Sequence, residues 1–381
     1  MNLITVNKKI GTTTVSFNPS FYRLAIDNYK KGCMREIIAL MEAAEIDSHV
    51  AGCLMGRRAG FKREWRVTEL SEAAGDVAAK EFVEQVFLSL NMRELFEDIS
   101  DARMKRFSVL ALDWEVKSGK QVITKAKKIE QKYFRYDPKD EILKLDFGRE
   151  LREIPPDSAL ICETNRTPIL IPVLRDFILK EFGLESWASF IETFGEAFII
   201  GRYPAGSDTK IKDELEAGIK ALAMSSRGIM PDGSSIDLIE AKRSTGDHNL
   251  FVDRADKSIS IVILGHANAV DRSQSMQIGE NVEAFKVKRD IALDDIYFIE
   301  EQIRRGLVKL LVDRNFGSAR YPIFTIDKSE PIDIRERLAV LEFAWETGFK
   351  IHPDELGRLG LYKFEDQEPL QKQLAGLNLL D

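Results

Sequence analysis

The chain has 381 residues, a net charge of −7 at pH 7, and 44% hydrophobic and 31% charged residues. This is a globular composition: it excludes a disordered polymer, and no apolar run approaches the roughly 20 residues needed to cross a bilayer. The acidic balance also separates it from proteins that grip duplex DNA by wholesale phosphate neutralisation.

Met1 to Ile10 carries two lysines with no apolar h-region after them, so no secretory leader is expected. The first helix is predicted over Met34 to Gly60, with a break near Asp47; Ile37, Ile38, Met41, Ala44, Val50, Cys53 and Leu54 form its apolar face. A strand follows at Trp65 to Val67, then a helix over Ala73 to Leu90, then a third from an Asn91 N-cap to about Lys105. Leu110, Leu112, Trp114 and Val116 alternate with Val109, Ala111, Asp113 and Glu115, the period of a strand. Ser118-Gly119 turns the chain into Gln121–Thr124, and Leu143, Leu145 and Phe147 predict a further strand. Residues 30–165 therefore read as a compact α+β unit with an antiparallel sheet, closed by a short strand at Ala159 to Cys162.

A helix is predicted over Ile169 to Phe194, with Gly183 as a point of bending or division. A strand bracketed by Gly195 and Gly206 comes next, then a helix over Lys210 to Met224 and a Met230-Pro231-Asp232-Gly233 turn. The apolar run Ile259 to Gly265 reads as a short strand opening into a polar loop, His266 to Gly279. One long amphipathic helix then ends at Asn315-Phe316-Gly317. Its stripe is Val282, Phe285, Ala292, Ile296, Ile299, Ile303, Leu307 and Leu310, and Gly317 stands at C′. Asp333 caps a helix over Ile334 to Thr347, and another turn of helix starts at Pro353.

Catalytic signatures are missing. No phosphate-binding glycine loop, dinucleotide fingerprint or nucleophile elbow occurs. His49, His248, His266 and His352 are scattered, and Cys33, Cys53 and Cys162 fit neither a zinc knuckle nor a disulfide framework; buried free thiols of a cytosolic protein are expected. Asp294-Asp295 and Glu300-Glu301 read as a solvated acidic face rather than a Mg²⁺ site, because catalytic metal carboxylates converge from different elements. Ser244, Asp247 and His248 read as a polar loop, and the four tryptophans as core. No metal and no cofactor are expected. Charge is uneven: Lys117–Arg152 holds eleven Lys/Arg against six Asp/Glu, and Asp327–Asp381 seven against twelve.

Several segments, taken in order, resemble the portal proteins of Mu-like tailed bacteriophages. These are Phe190-Ile-Glu-Thr-Phe-Gly195 with Gly201-Arg-Tyr-Pro-Ala-Gly206, Ile229-Met-Pro-Asp-Gly233, Ile259–Gly265 with its loop, and Leu311-Val-Asp-Arg-Asn-Phe-Gly317. Asp47-Ser-His-Val-Ala-Gly-Cys-Leu54, Arg106-Phe-Ser-Val-Leu-Ala-Leu-Asp-Trp114, Gly348–Leu356 and Leu359-Gly-Leu-Tyr362 complete the set, over about residues 35–370. The resemblance implies a portal-type α+β fold: an N-terminal arm (1–29), an α+β wing (30–165), a stem helix (166–194) and a small α/β clip (195–242). A return strand with a tunnel loop (243–281), a long helix (282–317) and a helical crown-side region (318–381) follow.

In function, the resemblance implies a non-enzymatic homo-oligomeric ring of twelve subunits at one capsid vertex, assembled in the bacterial host cytoplasm and carried in the virion, with no membrane partner. Double-stranded DNA would pass through it without sequence specificity during packaging and ejection. Terminase large subunit, capsid or scaffold proteins and head-completion proteins would dock on it. Tunnel-loop candidates are His266, Asn268, Asp271, Arg272, Ser273, Gln274 and Ser275. Channel or interface cations are Lys286, Lys288, Arg289, Arg304 and Arg305, and clip candidates are Arg202, Tyr203, Pro204, Pro231 and Asp232. Two other readings are another head-morphogenesis or connector protein, and a metal-dependent nucleic-acid-processing enzyme using Asp294.

Overall fold

The computed structural model describes residues 15–148, 150–194, 198–202, 206, 208–225, 235–239, 246–267, 278–317 and 320–329. The chain divides into two compact units, Met1–Asp327 and Lys328–Asp381. The helices predicted at Asp333 and Pro353 lie outside the described residues.

Helix α1 (Pro19–Lys30) stands inside the segment expected to be an N-terminal arm. Its signal was the Asn18-Pro19 pair: the Asn18 side chain accepts from the Phe21 N–H at 2.8 Å, and proline suits the first helical position. The predicted break at Asp47 is present, giving α2 (Arg35–Ala44) and α3 (Ser48–Arg58), because Asp47 leaves helical geometry to accept the His49 and Val50 N–H groups at 3.0 Å each. Strand β1 (Trp65–Thr68), α4 (Ala74–Ser89) and α5 (Met92–Lys105, capped by Asn91) follow within a residue or two of expectation.

Strand β2 (Phe107–Lys117) is the spine of the molecule. It pairs antiparallel with β3 (Lys120–Ile129) on one edge and with β7 (Ala159–Glu163) on the other. Ser118 and Gly119 both have positive φ, 52° and 75°, the backbone a two-residue hairpin turn requires. The first half of β2 is buried on both faces, so the alternation does not separate core from solvent. Phe107, Val109 and Ala111 enter a core shared with α1–α3 and α6, while Leu110 and Leu112 enter a second core with α4 and α5. Three short strands, β4 (Phe134–Tyr136), β5 (Leu143–Asp146) and β6 (Leu151–Arg152), form a separate antiparallel sheet under the first core.

Helix α6 (Leu170–Phe194) runs unbroken through Gly183. The Phe251 ring explains the glycine: a Cβ there would lie 2.9 Å from it. Strand β8 (Phe198–Arg202) pairs with β9 (Ser235–Ile239), and α7 (Thr209–Ser225) lies between them in sequence. Ile259–Gly265 is not a strand. It is the last part of α8 (Gly246–Leu264), which packs between α3 and α6 and ends at Gly265 with φ 77°. Tertiary packing decides here over the β propensity of a Ser-Ile-Val run: Ile259 and Ile263, one helical turn apart, are both fully buried.

The long helix is present as α9 (Ile278–Ile303) and α10 (Lys309–Asn315), joined by a π turn over Arg304–Val308. The extra residue re-phases the apolar stripe. Ala292, Ile296, Ile299 and Ile303 bury one face before it; Leu307, Val308, Leu311 and Val312 do so after it, leaving Leu310 only half-buried. Gly306 makes room for Leu160, whose Cδ1 would overlap any Cβ added there. Gly317 has φ 59°, as the C′ position requires. Strand β10 (Ile323–Ile326) then returns to pair with β1. The second core is thus completed by residues far beyond 165.

Candidate functional site

The loop expected to carry function lies between α8 and α9, and the structure shows how these two helices are tied together. Arg57, on the last turn of α3, is buried. Its Nη1 donates to the Ile263 carbonyl of α8 at 2.7 Å, one of the orphan acceptors at a helix C-terminus. Its Nε and Nη2 donate to the two Asp295 oxygens of α9 at 2.8 and 3.0 Å. One guanidinium therefore fastens the helix entering the loop to the helix leaving it. Gly60 permits the same approach from the other side, since a Cβ there would lie 2.7 Å from the Ala292 Cβ.

The network extends outward. Arg103 of α5 reaches Asp295 at 3.2 Å and Asp294 at 2.5 Å, and Arg166 reaches Asp294 at 3.0 Å. Burial works against the Asp294 charge, yet the Arg103 and Arg166 guanidiniums hold its carboxyl below the usual carboxylate range. Glu300, buried further along α9, accepts the Ile326 N–H at 2.7 Å and ties the helix to β10. A second buried charge locks α3, α6 and α8 together. Lys180 donates to Asp47 and Asp256, both at 2.8 Å; burial disfavours its charge, but the two carboxylates raise its pKa overall. His49 Nε2 and Ser260 Oγ, 2.8 Å apart, add a polar contact between α3 and α8.

These ion pairs revise the sequence reading of the acidic face. Asp295 and Glu300 are buried, Asp294 is engaged by two arginines, and Glu301 pairs with Arg305 at 2.7 Å. Among the described residues, no group of three His, Cys, Asp or Glu side chains is arranged to hold a metal ion. The described sulfhydryls, Cys33, Cys53 and Cys162, are all free.

Of the tunnel-loop candidates only His266 is described, half-buried just past Gly265; Asn268, Asp271, Arg272, Ser273, Gln274 and Ser275 lie outside the described residues. Lys286, Lys288 and Arg289 are exposed together within one turn of α9. Arg304 and Arg305, exposed on the π turn, are roughly 24 Å further along at 1.5 Å per residue, so the five cations form two groups. Arg202 ends β8; Tyr203, Pro204, Pro231 and Asp232 lie outside the described residues. The sequence did not single out Arg57 or Lys180, and it placed the buried Asp295 and Glu300 on a solvated face. The available signal was positional: Asp295 and Glu300 fall on the buried side of the Ala292–Ile303 stripe, where an acid needs a partner.

Solved structures share this architecture. A chain of the virion of a native gene transfer agent particle superposes with a TM-score of 0.60 at 10% identity, covering 91% of this chain and 99% of that one. A chain from the neck of such a particle, computed with C12 symmetry, gives 0.60 at 11% identity over 88% and 98%. The chain therefore shares the α+β fold of those two chains. A family model for the portal protein of Mu bacteriophage matches residues 38–359, and the chain belongs to that family. The portal protein of Escherichia phage Mu is 25% identical over 313 residues, 76% of this chain and 60% of that protein. The Mu-like prophage FluMu protein gp29 of Haemophilus influenzae is 27% identical over 196 residues, 49% of this chain and 37% of the relative. The match thus spans about 60% of the longer-matched relative's length. Among the described residues, no helix is long and apolar enough to cross a membrane.

Proposed function

We propose that this chain is a structural subunit of a portal ring at one capsid vertex, through which double-stranded DNA is packaged and ejected. The observation that carries the reading is the family match across residues 38–359. The likeness to a neck chain computed with C12 symmetry supports a twelve-membered ring as its form. Terminase large subunit, capsid or scaffold proteins and head-completion proteins are the proposed partners, the virion vertex the proposed location and the host cytoplasm the proposed place of assembly.

In this reading residues 30–165 form the wing, 166–194 the stem, 195–242 the clip and 318–381 the crown side. The loop between α8 and α9 approaches the channel. Arg57 ties the end of α8, where the loop begins, to Asp295 of α9, and Lys180 ties α8 to α3. An acidic chain suits passage rather than capture, since each phosphate neutralised strengthens the grip on DNA. Asp294, the acid on which a metal-dependent enzyme reading would rest, is taken up by Arg103 and Arg166. Deleting Arg272 to Ile278 in a phage or prophage carrying this chain should leave ring yield unchanged and lower the DNA content of its particles. Particles with normal DNA content would contradict the role of the loop, and failure of the chain to fold would make the segment part of the core.

A further inference from the structure

The stem helix changes character halfway along. Between Leu170 and Lys180 it buries Leu170, Val173, Leu174, Phe177, Ile178 and Lys180; from Glu181 to Glu192 it buries nothing. The second half is nevertheless apolar, with Phe182 47% and Ile191 46% exposed. Asp176, Lys180 and Gly183 turn toward α8, where they meet Ser258, Asp256 and Phe251. At 100° per residue, Phe182, Glu185 and Glu192 lie on the flank facing away from α8. This flank is acidic, with the exposed Phe182 at its start.

Helix α8 carries the counterpart. Opposite its buried row of Ala255, Ile259 and Ile263 runs an exposed stripe, Leu250, Arg254, Lys257 and Ile261, spaced four, three and four residues apart. Leu250 is 69% and Ile261 52% exposed at its two ends, with the two cations between them. Among the described residues, neither Arg254 nor Lys257 forms an ion pair, and neither does Glu185 or Glu192, unlike the interior Lys180. Two exposed helix faces of opposite charge, one with Phe182 and the other with Leu250 and Ile261, therefore stand on different sides of one helix pair.

We propose that these two faces bind each other between successive copies of this chain: the Phe182–Glu185–Glu192 flank of α6 on one subunit meets the Leu250–Arg254–Lys257–Ile261 stripe of α8 on the next. The occupant is a second copy because each face supplies what the other lacks, and a contact between two different surfaces of one chain repeats head to tail, closing into a ring when its rotation closes. The opposed charges set the register, and Phe182 with Leu250 and Ile261 supplies apolar area. This inference rests on the ring reading and adds which surfaces make the ring.

Two double variants of the full chain test it, Arg254→Glu with Lys257→Glu and Glu185→Lys with Glu192→Lys, each checked for an unchanged circular dichroism spectrum and melting temperature. By native mass spectrometry and sedimentation, each alone should lose ring assembly at least tenfold, since one face becomes like-charged with its partner. Mixed in equal amounts, the two should recover rings in which they alternate, because every contact is again opposite in charge. Wild-type rings alongside variants that assemble normally, or no recovery on mixing, would overturn the proposed surfaces and leave the ring reading standing. Variants that form rings but no longer enter capsids would give these faces to a different protein, which also overturns it. A wild-type chain that forms no ring defeats both readings.

Discussion

Replacing Asp295 with asparagine should lower the unfolding free energy by about 3–5 kcal/mol, the usual cost of breaking a buried ion pair by removing one partner. Asp295 is fully buried, accepts from Arg57 at 2.8 and 3.0 Å and lies 3.2 Å from Arg103 in an ion pair, so its loss strands the buried Arg57 guanidinium. The double variant Arg57→Met with Asp295→Leu should cost much less than the sum of the two single changes, because it removes both charges together. Urea unfolding of the three variants measures this. A loss below about 1 kcal/mol for Asp295→Asn would mean that the pair is not the clamp described. Because Arg57 also holds the Ile263 carbonyl, hydrogen exchange at the last turn of α8 should rise in the same variant.

Phe324→Ala should cost a further, independent 3–5 kcal/mol or so. The ring is fully buried on β10, 5.9 Å from Trp65 in a stacked arrangement and 5.6 and 6.2 Å from Phe87 and Phe96 edge-on. Removing it opens a cavity where β1, β10, α4 and α5 meet and weakens the anchor of the long helix through Glu300 and Ile326. Phe324→Leu, which keeps most of the volume, should cost under half as much. Equal losses for the two changes would show that the site collapses around either side chain and that aromatic packing contributes nothing specific.

Much of the fold was legible where its signals are local. Asp47 and Asn91 cap helices whose starts they mark, Ser118-Gly119 specifies a two-residue turn, and the Ala292–Ile303 stripe locates one buried face of the long helix. What was illegible depends on distant partners. Ser258 to Leu264 has the composition of a strand and becomes helix because α3 and α6 enclose it, with Ser260 beside His49 and Ser258 bound to Asp176. Gly306 in the π turn at Arg304–Val308 answers to Leu160, nearly 150 residues away in sequence, which no periodicity could register. The pairing of Asp295 with Arg57 spans 238 positions. An acid on an apolar stripe announced only that a cation had to be somewhere.

The same distinction applies to function. The absence of catalytic motifs and the order of short family segments pointed to a portal-like chain, and the family match across residues 38–359 agrees. The ties that join α8 to α3, α6 and α9 became visible only in three dimensions, since Arg57, Lys180 and Asp295 have no motif among them.

Native mass spectrometry of the purified full-length chain, with negative-stain imaging of the same sample, tests the central claim most directly. Twelve copies of the 43.3 kDa chain should appear as an assembly of roughly 520 kDa with an axial hole. A monomer that persists at every concentration and salt condition would contradict the portal reading.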